Sequence, residues 1–136
     1  VTSRTFNRSA QGTFGQYLAG VTADEGLDRG ESATLPQLAQ NTEFRSNLGF
    51  ANTGSTPATV EVVLYDAGGS EVGALTVAID SGRMRQENEV YREVAGREDI
   101  DAGYATVTVI AGSGVVVYAS VIDNRTADAT TIPMWR

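Results

Sequence analysis

Oxygen-bearing side chains cluster at one place in this sequence, directly after its most apolar stretch. Asp123, Asn124 and Asp128 supply carboxylate and amide oxygens there, and many protein loops hold Ca²⁺ with such oxygens. A helix-loop-helix calcium site is excluded, because Arg125 and Ala127 stand where that site needs ligands. The spacing leaves two interpretations: a weak calcium site, or an Asx turn in which the side chains accept hydrogen bonds from the nearby backbone. We favour the Asx turn.

Paired carboxylates could also run acid–base chemistry. Glu87 and Glu89 alternate along one face of a predicted strand, and glycoside hydrolysis uses two carboxylates across a cleft. Seventeen acidic residues in 136 produce such pairs by chance, and no pattern marks a cleft. Arg83 and Arg85 likewise share one face, which suits a small anion, a contact with an acidic partner or the charged protection of an edge strand. We interpret the carboxylates as solvated surface and the two arginines as edge-strand protection.

Three absent residue types exclude most catalytic chemistry. The chain has no histidine and no cysteine, and all ten of its basic residues are arginine. Nucleophiles activated by histidine, zinc sites built from cysteine or histidine, Schiff-base lysines and phosphate-loop lysines are therefore excluded. We expect a non-enzymatic protein that needs no cofactor.

Length and charge limit the partners. A chain of 136 residues corresponds to a single domain spanning residues 1–136. Its net charge of −7 and pI near 4.4 oppose binding to a phosphate backbone, so nucleic acid is not expected. No apolar run reaches the roughly 18 residues of a membrane-spanning helix. The expected partners are proteins, either neighbouring modules or copies of this chain.

The elements that must position these residues are strands, because apolar residues recur with a period of two. Residues 59–66 and 72–79 flank a glycine-rich link and predict a β-hairpin. Residues 104–110 and 115–122 flank another such link and predict a second hairpin. The core is expected to include six residues of these strands: Val62, Leu64, Val107, Val116, Tyr118 and Ile122.

The remaining segments predict two more strands and little helix. Residues 44–52 and 83–87 have strand-like composition, whereas residues 88–96 suit one or two helical turns that end at a glycine. Residues 21–40 are polar and broken by glycine and proline, which indicates a long surface loop with room for one short element. Together these patterns predict an all-β fold, namely an immunoglobulin-like antiparallel β-sandwich of seven to nine strands with at most one short helix.

Four short phrases resemble a known repeat. Residues 3–7, 12–16, 44–50 and 119–124 are similar to the tandem immunoglobulin-like modules of large secreted bacterial surface proteins. The resemblance implies a sandwich fold, a secreted or cell-surface location and a structural or adhesive role. It carries over no functional residues. A carbohydrate-binding or calcium-dependent adhesion module is the alternative.

The two ends of the chain also resemble each other. Residues 1–13 can be laid on residues 118–130 in constant register, with Ser, Asn, Arg, Ala and Thr recurring. A sandwich has one slot for each strand, so a second copy of a strand must either pair within its own sheet or enter a neighbouring unit. Residues 1–20 are therefore a candidate for donation to a neighbour, which would build a head-to-tail homopolymer.

The candidate residues for such self-assembly lie at both ends of the chain. Val1, Ser3, Thr5 and Phe6 belong to the N-terminal strand, and Phe6 is its large apolar side chain. Trp135 lies next to the C-terminal residue, where a large aromatic ring is costly to leave in water and is expected to dock.

Overall fold

Two four-stranded antiparallel sheets face each other and enclose the core. The structure is a computed structural model that describes residues 2–10 and 12–136, with the side chain of Ser9 left out. The elements in chain order are β1 (Thr2–Ser9), β2 (Gly12–Ala19), a 3-10 turn (Ala23–Glu25), β3 (Ser32–Gln40), β4 (Phe44–Asn52), β5 (Ala58–Tyr65), β6 (Glu71–Ile79), β7 (Met84–Glu87), α1 (Val90–Ala95), β8 (Ile100–Ala111), β9 (Val115–Asp123) and β10 (Ala129–Pro133).

The strand order confirms the expected all-β antiparallel sandwich. The first sheet has the order β10-β9-β4-β7 and the second has the order β3-β8-β5-β6. The strands β1 and β2 pair only with each other and form a separate N-terminal hairpin. The described residues thus form ten strands where seven to nine were expected, because the N-terminal segment adds a pair outside the sandwich. Among these residues, no helix is long and apolar enough to cross a membrane.

Apolar side chains at alternate positions of the second sheet form one side of the core. Val60, Val62 and Leu64 of β5 have no exposed surface, and neither do Val107 and Val109 of β8. Burial of each such side chain contributes about 1.5 to 3 kcal/mol. The predicted hairpin of β5 and β6 is confirmed by their antiparallel register.

The core side of β9 differs from the prediction. Val115 and Val117 are fully buried between the sheets, whereas Val116, Tyr118 and Ile122 lie on the opposite face and are half-buried. The prediction for those three residues was wrong, because a strand that is apolar on both faces gives no indication of which face meets the core.

The predicted second hairpin is also wrong. The strand β8 belongs to the second sheet and β9 to the first, so residues 112–114 carry the chain from one sheet to the other. Gly112 and Gly114 have φ values of 81° and 73°, a region that favours glycine. A Cβ atom on Gly112 would lie 2.7 Å from the Cα and Cβ atoms of Ala58. The crossing therefore needs a residue without a side chain.

The expected surface loop over residues 21–40 contains a buried edge strand instead. Leu35 and Leu38 of β3 have no exposed surface. The register with β8 shifts between them, and Gln37 has a φ of 59°. This bulge accommodates Pro36, which lacks an N–H group and is tolerated at bulges and on edge strands. The bulge interrupts the period-two alternation of apolar residues, so the sequence pattern predicted a loop where the structure has a strand.

The short helix was predicted correctly. The helix α1 ends at Gly96, whose φ is 63°. The Tyr91 hydroxyl donates to the backbone oxygens of Tyr65 and Tyr104, at 2.8 and 3.0 Å, and burial raises the pKa of this phenol. The helix thereby closes the sandwich on the side of β6, where it packs against Gly73.

Substitutions on the two faces of β9 test its orientation. We expect Val117→Asp to lower the free energy of unfolding by about 3 kcal/mol or more, because it places an unpaired charge in the core. The matched variant Val116→Asp should cost about 1 kcal/mol, since that side chain is half-buried on the outer face. Urea denaturation followed by circular dichroism measures both. Equal losses would contradict the orientation of the strand.

Candidate functional site

The N-terminal hairpin is a separate layer outside the sandwich. Its eight cross-strand pairs run from Thr2 with Ala19 to Ser9 with Gly12, and Gly12 has a φ of 133° at the turn. None of the described side chains in the hairpin is buried. An isolated two-stranded hairpin is only marginally stable in water. The stability of this hairpin therefore depends on its contacts with the body.

Polar contacts between described residues hold the hairpin on the outer face of β9 and β10. The Gln16 side-chain amide donates to the hydroxyl of Ser120. The Thr131 hydroxyl donates to the carbonyl of Tyr17 at 2.6 Å, and the N–H of Gly15 donates to a carboxylate oxygen of Asp128 at 3.3 Å. The strand β2 therefore runs along β10, and β1 lies farther out.

An apolar groove of about 260 Å³ lies where the hairpin meets the body. Leu18 and Val21 line it from the N-terminal segment, and Val116, Tyr118 and Met134 line it from the body. Close packing is the rule inside proteins, so an open groove here means that the hairpin is incompletely packed against its own sandwich.

The outer face of the hairpin carries aromatic and basic side chains. Arg4 is paired with Tyr17 across the hairpin, and Phe6 is paired with Gly15. Side chains alternate along a strand, so these residues lie on the face opposite to Gln16, and Phe6 also lines a groove with Ala127 and Ala129 of the body. Phe6 is 61% exposed and Tyr17 is 56% exposed.

The hairpin also differs from the body in charge. Arg4 and Arg8 are the only charged side chains in residues 1–22, whereas residues 23–136 carry all seventeen acidic residues and eight arginines, a net charge of −9. A basic segment thus projects from an acidic body, and neither arginine forms an ion pair with the described residues.

The self-assembly candidates of the hairpin are only partly brought together. Val1 lies outside the described residues. Ser3 and Thr5 are exposed and share the face of Gln16, which is turned towards the body. Phe6 is on the outer face. The candidate segment 1–20 includes β2, but the individual residues named for self-assembly in it lie before β2, and the prediction treated the segment as one strand instead of a hairpin. The charge segregation of residues 1–22 was readable and indicated an arm distinct from the body.

Trp135 docks through its backbone alone. Its N–H donates to the carbonyl of Thr34 at 2.9 Å, and its carbonyl accepts from the N–H of Thr34 at 2.7 Å. The side chain remains 66% exposed. The C-terminal segment therefore bridges to the edge strand β3, and no contact in the described part of the chain joins Trp135 to Phe6.

The calcium candidates form local turns. One carboxylate oxygen of Asp123 accepts hydrogen bonds from the backbone N–H groups of Arg125 and Thr126, at 2.7 and 3.0 Å. These bonds hold the pKa of Asp123 below its ordinary value. Asp128 accepts from the hairpin as described above, and the Asn124 side chain accepts from the guanidinium of Arg45 at 2.8 Å. The described residues include no group of three or more acidic, histidine or cysteine side chains that could hold a metal ion.

The other carboxylate candidates pair with arginines. Glu87 accepts from Arg85 at 2.8 Å. Both residues belong to β7, which is an edge strand of the first sheet. Glu89 pairs with Arg92 two residues into the helix. Salt bridges this exposed contribute little to stability, and their carboxylates are already engaged by cations.

Comparison with known proteins shows a likeness of fold. No family model matches the sequence, and no curated protein matches it. Thermotoga maritima 1070 is 13% identical with a TM-score of 0.61, and the match covers 79% of this chain and 94% of that one. The Anabaena sensory rhodopsin transducer is 14% identical with a TM-score of 0.52, over 68% of this chain and 96% of that one. The chain shares an all-β fold with both.

The role of Asp123 is tested by pH and calcium together. We expect Asp123→Ala to lower the melting temperature at pH 7, because two backbone N–H groups lose their acceptor. The lowered folded pKa means that this stabilisation is present above the ordinary value of 3.8 and is lost as the pH falls through the folded value. The difference between parent and variant should therefore shrink in acid.

Millimolar calcium serves as the control for the loop. Thermal melts with calcium and with chelator should coincide for the parent protein, because the Asp123 oxygen is already bonded to the backbone. A calcium-dependent rise that disappears in Asp123→Ala would restore the calcium site.

Proposed function

We propose that this chain is a non-enzymatic structural or adhesive module of an exported bacterial protein, and that its N-terminal hairpin joins neighbouring copies. The observation that carries the proposal is a hairpin that lies outside both sheets and buries none of its described side chains. The resemblance of four strand phrases to immunoglobulin-like repeats of secreted surface proteins supports the location and the role.

The energetics of the hairpin favour an external partner. Ordering each residue costs about 1 to 2 kcal/mol of backbone entropy, whereas each polar contact to the body contributes only about 1 kcal/mol. Phe6 and Tyr17 hold unused apolar surface, and burying a large apolar side chain contributes about 1.5 to 3 kcal/mol. Aromatic and arginine side chains are also the types that dominate binding energy at interfaces.

The alternative adhesion function has less support. A calcium-dependent module needs oxygens that are free to bind the ion, and those of Asp123 and Asp128 accept hydrogen bonds from backbone N–H groups. Among the described residues, the hairpin is the element that adds no strand to either sheet and no buried side chain to the core.

Deletion of residues 1–20 tests the proposal. The truncated protein should keep its strand signal in circular dichroism and a cooperative thermal transition, because the core lies in the two sheets. It should lose the concentration-dependent association that sedimentation velocity detects in the full chain.

A matched pair of full-length variants distinguishes association through the hairpin from nonspecific association through exposed apolar side chains. Replacing Phe6 and Tyr17 together by serine should weaken association roughly tenfold or more. Replacing Met84 by serine removes a side chain that is 64% exposed on β7 and should leave association unchanged. A full-length protein that stays monomeric at high concentration, or equal effects of the two changes, would overturn the proposal.

A further inference from the structure

Three of the four edge strands of the sandwich are protected. The strand β7 has four residues, and Arg85 forms an ion pair with Glu87 on it. The strand β10 is short, ends at Pro133 and lies beside β2. The strand β3 is bulged at Pro36 and is bridged by Trp135. Charges, prolines, bulges and covering segments are the usual means of preventing strand addition at an edge.

The fourth edge, β6, has little of this protection. It is nine residues long, has Glu71 as its single charged residue and contains no proline. The helix α1 packs against Gly73 near its start, and residues 74–79 follow. Ala74, Thr76 and Ala78 are exposed there, and such small side chains allow another backbone to approach. Apart from its pairing with β5, the hydrogen bond that the described residues give to its backbone is from the Asn52 amide to the Ile79 carbonyl, at 3.0 Å.

The outer strand of the N-terminal hairpin is similar to this edge in length and opposite to it in charge. The strand β1 has eight residues and pairs with β2 on one side only. It brings Arg4 and Arg8, while β6 begins at Glu71 and its residue Thr76 is paired with the exposed Glu61 of β5. Arg83 and Arg85 line the groove beside Ile79 at the end of β6, and Arg92 lies on α1, which packs near the start of β6.

The hairpin and the open edge are on different sides of the same molecule. The hairpin lies against β10, at one edge of the first sheet. The strand β6 lies beside the other edge, where Ile79 and Met84 line one groove between β6 and β7. A contact between β1 and β6 therefore joins two copies, and because the two surfaces differ it repeats head-to-tail.

We propose that the open edge of β6 in one copy accepts β1 of the next copy, so that the hairpin extends the second sheet of its neighbour. This inference rests on the proposed function and adds the surface that receives the hairpin. Main-chain hydrogen bonds supply the affinity of such strand addition, and the opposite charges of arm and body favour the encounter.

Cysteine cross-linking tests the contact directly, because the natural chain has no cysteine. Copies with Thr5→Cys are mixed with copies that carry Thr76→Cys and a mass tag, and are treated with a short flexible bis-maleimide, which tolerates a shift of one register position. We expect a cross-linked heterodimer as the main product. The control acceptor Ser32→Cys lies on β3, the opposite edge of the same sheet, and should give roughly tenfold less.

A charge variant provides an independent measurement. We expect Thr76→Lys to weaken association roughly tenfold, because a lysine on an edge strand opposes strand addition and repels the basic arm. Ser32→Lys makes the same charge change at the other edge and should leave association unchanged.

The outcomes separate this inference from the proposed function. Association that depends on residues 1–20 but survives Thr76→Lys, with no preference for cross-linking at Thr76, would overturn β6 as the acceptor and leave the proposed function intact. A full-length protein that does not associate would overturn both.

Discussion

The crossing from β8 to β9 is the constraint on which the rest of the fold depends. Gly112 and Gly114 adopt positive φ values, and Gly112 passes so close to Ala58 that no side chain fits. The chain can therefore leave the second sheet and enter the first within three residues. The buried valines of both strands then belong to one hydrophobic core. A tight hairpin at this point would have left both strands in one sheet and the core without its second wall.

A sandwich closed in this way leaves two open sides, and different segments cover them. On one side the helix α1 packs against Gly73 and its Tyr91 hydroxyl ties two backbone carbonyls together. On the other side Trp135 pairs with Thr34 and joins the C-terminal segment to β3. With both sides closed by other segments, the N-terminal hairpin has no place in the core, and it meets the body through polar contacts and an apolar groove.

The N-terminal hairpin and the body carry net charges of opposite sign. The acidic groups near turns are engaged locally, as Asp123 is by two backbone N–H groups, and several others pair with arginines. Under the proposed assembly, the basic arm of one copy attracts the acidic body of the next.

The sequence by itself determined the local features: strand content, the β5–β6 hairpin, the helix end at Gly96, the absence of histidine and cysteine, and the basic N-terminal arm. These follow from residue types and spacings within a few positions of each other. Only the tertiary structure decided which face of β9 meets the core, that β8 and β9 lie in different sheets, that Leu35 and Leu38 are buried, and that Phe6 lies on the hairpin face opposite to Gln16. Strand partners are distant in sequence, so period-two alternation predicts a strand and leaves its sheet and its buried face to long-range packing.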